Sequence, residues 1–299
     1  MKYYLAAVSA FTIWGFFTFV LKPLDYYPSL DILFYRIFYA AVILVLLHVI
    51  FRKKILVENY KIFKNKTAVE KRDFYWQVAL GGFFITANWL FFIFIINHIS
   101  VKAGSFSYLV CPIITSVLAT FILDEKLTRW QWAGVAVSGV SCYLLAMNHW
   151  TDLGYSLIVA FAYAFYLISQ KKYNGIDKLV MLALHTVFAA IMILPFFPTF
   201  SGSIPTEPFF HISLLAIAIV FTIIPLFLNL YALKEVSSST IGVLLYINPL
   251  INFILAIFYY HEQVTHIQLI SYSLILVSII IFNQKQLFRH INKLSAKTQ

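Results

Sequence analysis

The 299-residue chain is 62% apolar and 18% aromatic but only 11% charged, with a mean hydropathy of +0.85. A soluble domain carries roughly 25% charged residues, so a water-soluble protein of this size is excluded and most of the surface faces lipid. The net charge of +10 raises nucleic acid as a partner, but its placement along the chain argues against that reading.

Crossing the hydrocarbon core takes about 20 apolar residues in a helix. Runs of this kind predict spans over 3–21, 30–50, 74–96, 103–122, 131–147, 153–170, 179–197, 210–232, 239–259 and 266–283, ten in all. The first follows Lys2 and could pass for a signal peptide. It lacks a small-residue cleavage pattern, and Trp14, Phe16, Phe17 and Phe19 occupy that place, so it reads as a span. With the N-terminus in the cytoplasm, the inner segments collect 19 of the 22 Lys and Arg residues, eight of them in the 52–72 loop and four after residue 284. The outer loops hold only Lys22 and Lys102, and Arg36 falls within span two. By the positive-inside rule both termini are expected in the cytoplasm, with the protein multi-pass in the plasma (bacterial inner) membrane. The basic charge is therefore a topology signal, and no nucleic-acid partner is expected. The loop at 51–73 reads as a solvated basic segment, with anionic lipid headgroups as its alternative partner.

The chain also repeats. Pro112 precedes Glu125 by 13 residues, and Pro249 precedes Glu262 by the same interval. A shift of 137 residues superposes both pairs, matches Gln131 with Gln268, and lays SFSYLVCPII over GVLLYINPLI. A shift of 150 aligns AFTIWGF with AFAYAFY and Lys22 with Lys172. The expected fold is all-α, ten transmembrane helices in two inverted five-helix repeats over 1–148 and 149–284, with a basic tail at 285–299. Five spans is an odd number, so the second half enters the membrane upside down. Inverted repeats are the architecture of alternating access around a midplane site.

The runs ANWLFFIFIINHISVKAGSFSYLVCPIITSVLATFILDEKLTRWQW and LYALKEVSSSTIGVLLYINPLINFILAIFYYHEQVTHIQLI resemble the two halves of EamA-type transporters of the drug/metabolite superfamily. FTIWG, DILFYR, NWL at 88–90 and FYLISQKK at 165–172 are similar to the RarD-like subgroup, named for chloramphenicol sensitivity. The resemblance implies a central cavity lined by spans one to four and six to nine, with spans five and ten peripheral. One departure is Asp124-Glu125, where the family often has Gly-Glu, together with His261-Glu262 in the second half.

Ionisable groups inside a membrane are costly and suggest function. Arg36 lies roughly 9 Å into span two at 1.5 Å per residue and suits a carboxylate or phosphate; a snorkelling role or a pairing with Asp31 is the plainer alternative. His185, opposite Tyr35 under the 150 shift, could relay a proton or make a helix–helix hydrogen bond. Spacings of three and four put Ser105, Tyr108, Pro112, Thr115 and Ala119 on one face of span four, and Gly242, Leu245, Pro249, Asn252 and Ala256 on one face of span nine. Gly242, Ala119 and Ala256 read as close-packing residues. Tyr108, Tyr246, Asn248 and Asn252 are cavity candidates, because an amide or phenol facing lipid goes unsatisfied. Trp14, Asn88, Trp89, Tyr163 and Tyr166 join them, whereas Trp130, Trp132 and Trp150 suit an interfacial belt. Pro112, Pro225 and Pro249 are expected hinges, and Glu125 and Glu262 repeat-related closure points at span ends.

These features point to a secondary transporter, a permease or exporter of a small amphipathic metabolite or drug. No nucleotide-binding P-loop is present, and no cofactor is called for. A membrane-embedded enzyme is the first alternative, and HEQVTH at 261–266 its nearest motif. Its histidines are five apart rather than four, so no metal site is expected. Cys111 and Cys142 lie within apolar runs and suggest neither a disulfide framework nor a zinc site. A non-transporting scaffold or receptor is the second alternative, resting only on the basic loop and tail.

Overall fold

The structure is a computed structural model that describes residues 2–124, 126–172, 175–197, 204–232, 235–236 and 244–295, the side chains of 148–149, 170–172, 230 and 285–295 excepted. Glu125 and Gly242, singled out above, lie outside the described residues. All regular structure in the described residues is helical, as lipid demands of a chain that must satisfy its own backbone.

In chain order the helices are α1 (Lys2–Gly15), α2 (Phe17–Leu21), α3 (Ser29–Leu46), α4 (Lys53–Lys64), α5 (Ala68–His98), α6 (Val101–Ile122), α7 (Arg129–Lys172), α8 (Lys178–Ile193), α9 (Pro208–Ala218), α10 (Ile224–Ala232), α11 (Ile247–Phe258) and α12 (His266–Ser295). Among the described residues eight helical segments are long and apolar enough to cross a membrane, and α11 is a shorter apolar helix. The basic loop is more ordered than expected: most of it is α4, followed by the start of α5. Thr67 and Glu70 cap α5 reciprocally, with the Glu70 carboxylate accepting from the Thr67 backbone N–H at 2.8 Å. Asp177 caps α8 by accepting from the N–H groups of Leu179 and Val180, each at 3.1 Å, and takes a two-pronged ion pair from Arg52 at 3.0 and 3.1 Å. Partial burial works to raise the Asp177 carboxyl pKa. Arg52 and the α8 N–H groups outweigh it and hold the group below its ordinary value.

Predicted spans five and six fall in the single helical run α7. Its 44 residues would extend about 66 Å if straight, twice the hydrocarbon core. Its partners show that it reverses. α12 runs parallel to α6, since Lys102 meets Gln268 and Phe106 meets Tyr272. The first leg of α7 runs against α12, with Ser141 on Ser271 and Gly134 on Ser278. The second leg runs along α6, with Ser156 on Ala103 and Tyr163 on Tyr108. Two antiparallel legs therefore meet between 142 and 155.

The 137-residue interval also recurs in the backbone. α7 starts at Arg129 and α12 at His266. Thr128 and Gln131 cap the first reciprocally at 2.9 and 3.3 Å, and Thr265 and Gln268 the second at 3.1 and 3.2 Å. Asp124 and His261 hold matching left-handed φ values of 54° and 53°. The helices of Pro112 and Pro249, α6 and α11, run in opposite directions, because the chain leaving α11 returns to the start of α6. There the Glu262 carboxylate accepts from the N–H groups of Val101 and Lys102 at 2.6 and 3.1 Å. That is where an anion best complements a helix N-terminus. Lys102 Nζ in turn donates to the Gln263 carbonyl.

Candidate functional site

A cavity of about 820 Å³, counting its open mouth, lies among α1, α2, α3, α5, α6, the second leg of α7, α8, α10 and α11. Its wall contains Trp14, Arg36, Asn88, Trp89, Tyr108, Tyr163, Tyr166 and Asn248. The structure therefore gathers into one cavity residues that stand up to 234 positions apart in the sequence.

Local backbone explains how the wall is held. Between α9 and α10 the chain makes a π-helical turn over Ile219–Ile223. Pro225 has no N–H to offer the Phe221 carbonyl four residues back. Trp14 Nε1 supplies the missing donor at 2.8 Å, which pins α1 to the turn. Thr222 Oγ1 donates to the Ile217 carbonyl at 3.0 Å and faces the cavity. Such single-turn widenings frequently accompany functional sites. Tyr108 donates to Asn88 Oδ1, and Asn88 Nδ2 to the Val159 carbonyl, both at 3.1 Å. One amide thus ties α5, α6 and α7 together.

Arg36 is 5% exposed. Its guanidinium lies 4.6 Å from the Trp89 ring centroid and 5.1 Å from that of Phe17, cation–π distances on both rings. Nη2 reaches Thr222 Oγ1 at 3.5 Å, and the buried Nε has no partner. The pairing with Asp31 is not made. Five residues along a helix separate the two by about 7.5 Å and 140°, and Asp31 borders a second cavity with Leu33, Phe34, Ile193, Phe196 and Phe197.

The other candidates lie elsewhere. His185 is fully buried behind the wall, its ring edge-on to Tyr166 at 5.7 Å and engaged with the backbone of Gln77. Asn252 forms a second layer, donating to Asn248 Oδ1 at 2.7 Å and receiving Thr18 Oγ1 at 3.2 Å. Tyr246 packs in a separate apolar cluster with Phe106, Leu109, Val110, Ile113 and Tyr272. Pro112 sits inside α6, where Ser116 Oγ donates to its carbonyl at 2.9 Å. Pro249 is buried in α11. Sequence reasoning missed Phe17 and Thr222, because neither is an amide, a phenol or a charge. Pro225, by stripping a donor from the Phe221 carbonyl, was the available signal for the turn that carries Thr222. In HEQVTH, residues 261–265 are not helical and His261 has a positive φ. The histidines share no helix face, and no cluster of metal-ligating side chains occurs among the described residues.

The chain matches the EamA-like transporter family over residues 1–147 and 152–284. It is 27% identical to the uncharacterized transporter YojE of Bacillus subtilis, over 93% of this chain and 92% of that one. It is equally 27% identical to the protein RarD of Escherichia coli, again over 93% and 92%. RarD of Streptomyces exfoliatus is 30% identical over 68% of this chain and 65% of its own. A solved crystal structure shares the fold, with TM-score 0.63 at 14% identity over 94% of this chain and 96% of that one. This multi-pass membrane protein belongs to the EamA-like transporter family.

Proposed function

We propose that the chain is a secondary transporter moving a small amphipathic solute across the plasma membrane by alternating access, with both termini in the cytoplasm. Its crossings are then ten, five used twice in opposite directions, with repeats over 1–148 and 149–284 and a basic tail at 285–299. The observation that carries this reading is the cavity itself, walled by α1, α3, α5 and α6 from one half and by α8, α10, α11 and the second leg of α7 from the other. A solute held between two such halves can be exposed to either side as they rock. The recurrence of helix starts, capping pairs and left-handed residues at 137 positions supports the repeat. The grip of Glu262 on the start of α6 supports a closure contact between the halves at one end. Pro112, Pro225 and Pro249 are the hinges.

The test is flux. Proteoliposomes loaded with a panel of small amphipathic solutes should lose at least one of them faster than protein-free liposomes. Leu226→Trp, which adds bulk to the cavity wall without removing a hydrogen bond, should stop that loss while the variant still folds. Leakage indifferent to the filled cavity would contradict the reading.

A further inference from the structure

We propose that the solute carried in this cavity is a small organic monocarboxylate with an aromatic or apolar body, its carboxylate received by the Arg36 guanidinium. This rests on reading the cavity as the solute site and adds the substrate class. A guanidinium has five N–H donors in a fixed fork. That of Arg36 has Trp89 and Phe17 near it at cation–π distance, a single 3.5 Å hydrogen bond to Thr222, and a buried Nε with no acceptor. A buried cation needs a counter-charge, since desolvation is otherwise uncompensated.

The described acids do not supply one. Asp31 borders the other cavity, Asp177 holds Arg52, Glu262 caps α6, and Glu207 accepts from Tyr27. Among the described residues no Asp or Glu lines the cavity. The missing partner is therefore brought by the solute. A fork of N–H donors with aromatic rings close by is best matched by a planar carboxylate. The charge balance sets the valence. One cation neutralises a monoanion, whereas a phosphate monoester would leave charge against a wall whose described residues offer no second cation. An amino acid's ammonium would meet no carboxylate there. The rest of the wall, with Trp14, Phe17, Trp89, Phe92, Tyr163 and Tyr166, receives an aryl or alkyl body, and Asn248 offers an amide.

Equilibrium binding to the purified protein in detergent tests this with isosteric pairs: phenylacetate against phenylacetamide and indole-3-acetate against indole-3-acetamide, with phenyl phosphate and phenylalanine alongside. The acids should bind roughly 10- to 100-fold more tightly than their amides, the worth of a charge-assisted hydrogen bond. Arg36→Gln should remove that advantage and leave amide binding within about threefold. Equal binding of acid and amide, no binding of either acid, tighter binding of phenyl phosphate or phenylalanine, or undiminished acid binding by Arg36→Gln would overturn the assignment. The wild-type comparison stands even if the variant fails to fold. Flux of the same compounds in proteoliposomes separates the two readings. Arg36-dependent acid binding without flux would remove the transporter reading and keep the carboxylate assignment. Flux of the amides in preference to the acids would do the reverse.

Discussion

The seam between the first leg of α7 and α12 and the wall of the central cavity are both built from packed, largely apolar helices, yet one is closed and the other open. At the seam the contacts are small. Ser141 Oγ donates to the Ser271 carbonyl at 2.7 Å, and Ser278 Oγ to the Gly134 carbonyl at 2.8 Å. A Cβ on Gly134 would stand 2.9 Å from Phe282 Cβ and 3.1 Å from the Ser278 carbonyl oxygen. Small residues let the backbones approach, and each of these hydroxyls spends its donor on a neighbouring carbonyl. In the cavity, Trp14, Phe17, Trp89, Tyr163 and Tyr166 hold the helices apart, and Arg36 keeps donors in reserve. Side-chain size decides which helices close, and the degree of polar satisfaction separates a structural seam from a site.

The strongest way to break that contrast is to open the seam. Gly134→Val should cost about 3 kcal/mol, because the added atoms meet backbone that moves only if the helices part. Gly139→Ala, with nothing within 4 Å of its Cβ, should leave the thermal unfolding midpoint in detergent unchanged or raise it slightly, Ala being the better helix former by about 0.5–1 kcal/mol. Equal melting of the two variants would show that the seam is not tight.

A smaller effect sharpens the cavity side. Trp14→Phe keeps the ring and removes the donor on the Phe221 carbonyl, a carbonyl that Pro225 leaves without its helical partner. A buried carbonyl so orphaned should lower stability by about 1–2 kcal/mol, measured by denaturant unfolding. Trp14→Phe on a Pro225→Ala background should lose less, since the restored N–H can take the carbonyl.

The smallest effect lies outside both regions, at the cap of α8. Asp177 has a lowered folded-state pKa, so its contribution is present above the unfolded carboxylate value near about 3.9 and is lost as pH falls through the folded value below it. Asp177→Asn should lower stability at neutral pH by about 0.5–1 kcal/mol, a half-exposed ion pair and cap being worth no more. The difference from wild type should shrink as melting is followed down through that acidic window. A gap constant with pH would remove the Arg52–Asp177 pair as its cause.

Much of this was legible in the sequence, and the misses have physical causes. Length and hydropathy mark spans because lipid leaves the backbone no other choice. The 137-residue shift that superposes the Pro-to-Glu pairs also relates two helix starts, where Gln131 and Gln268 cap their helices alike. The reversal inside α7 was expected as two spans but is helical throughout, and hydropathy does not report local dihedrals. The rule that an amide or phenol should not face lipid led to Asn88, Tyr108 and Asn248 in the wall. It also selected Tyr246, which sits in an apolar cluster instead, because the rule separates protein from lipid and not cavity from core. Phe17 and Thr222 carried no such signal: Phe17 owes its place to the break at Phe16, and Thr222 to the π turn, at which Pro225 was the one local hint.

The claim that the cavity is a path rather than a blind pocket is tested most directly from its wall. Asn248→Cys in a background lacking Cys111 and Cys142 should react with a membrane-impermeant thiol reagent in right-side-out and in inverted vesicles alike, as alternating access requires. Reaction in only one of the two vesicle preparations would contradict it.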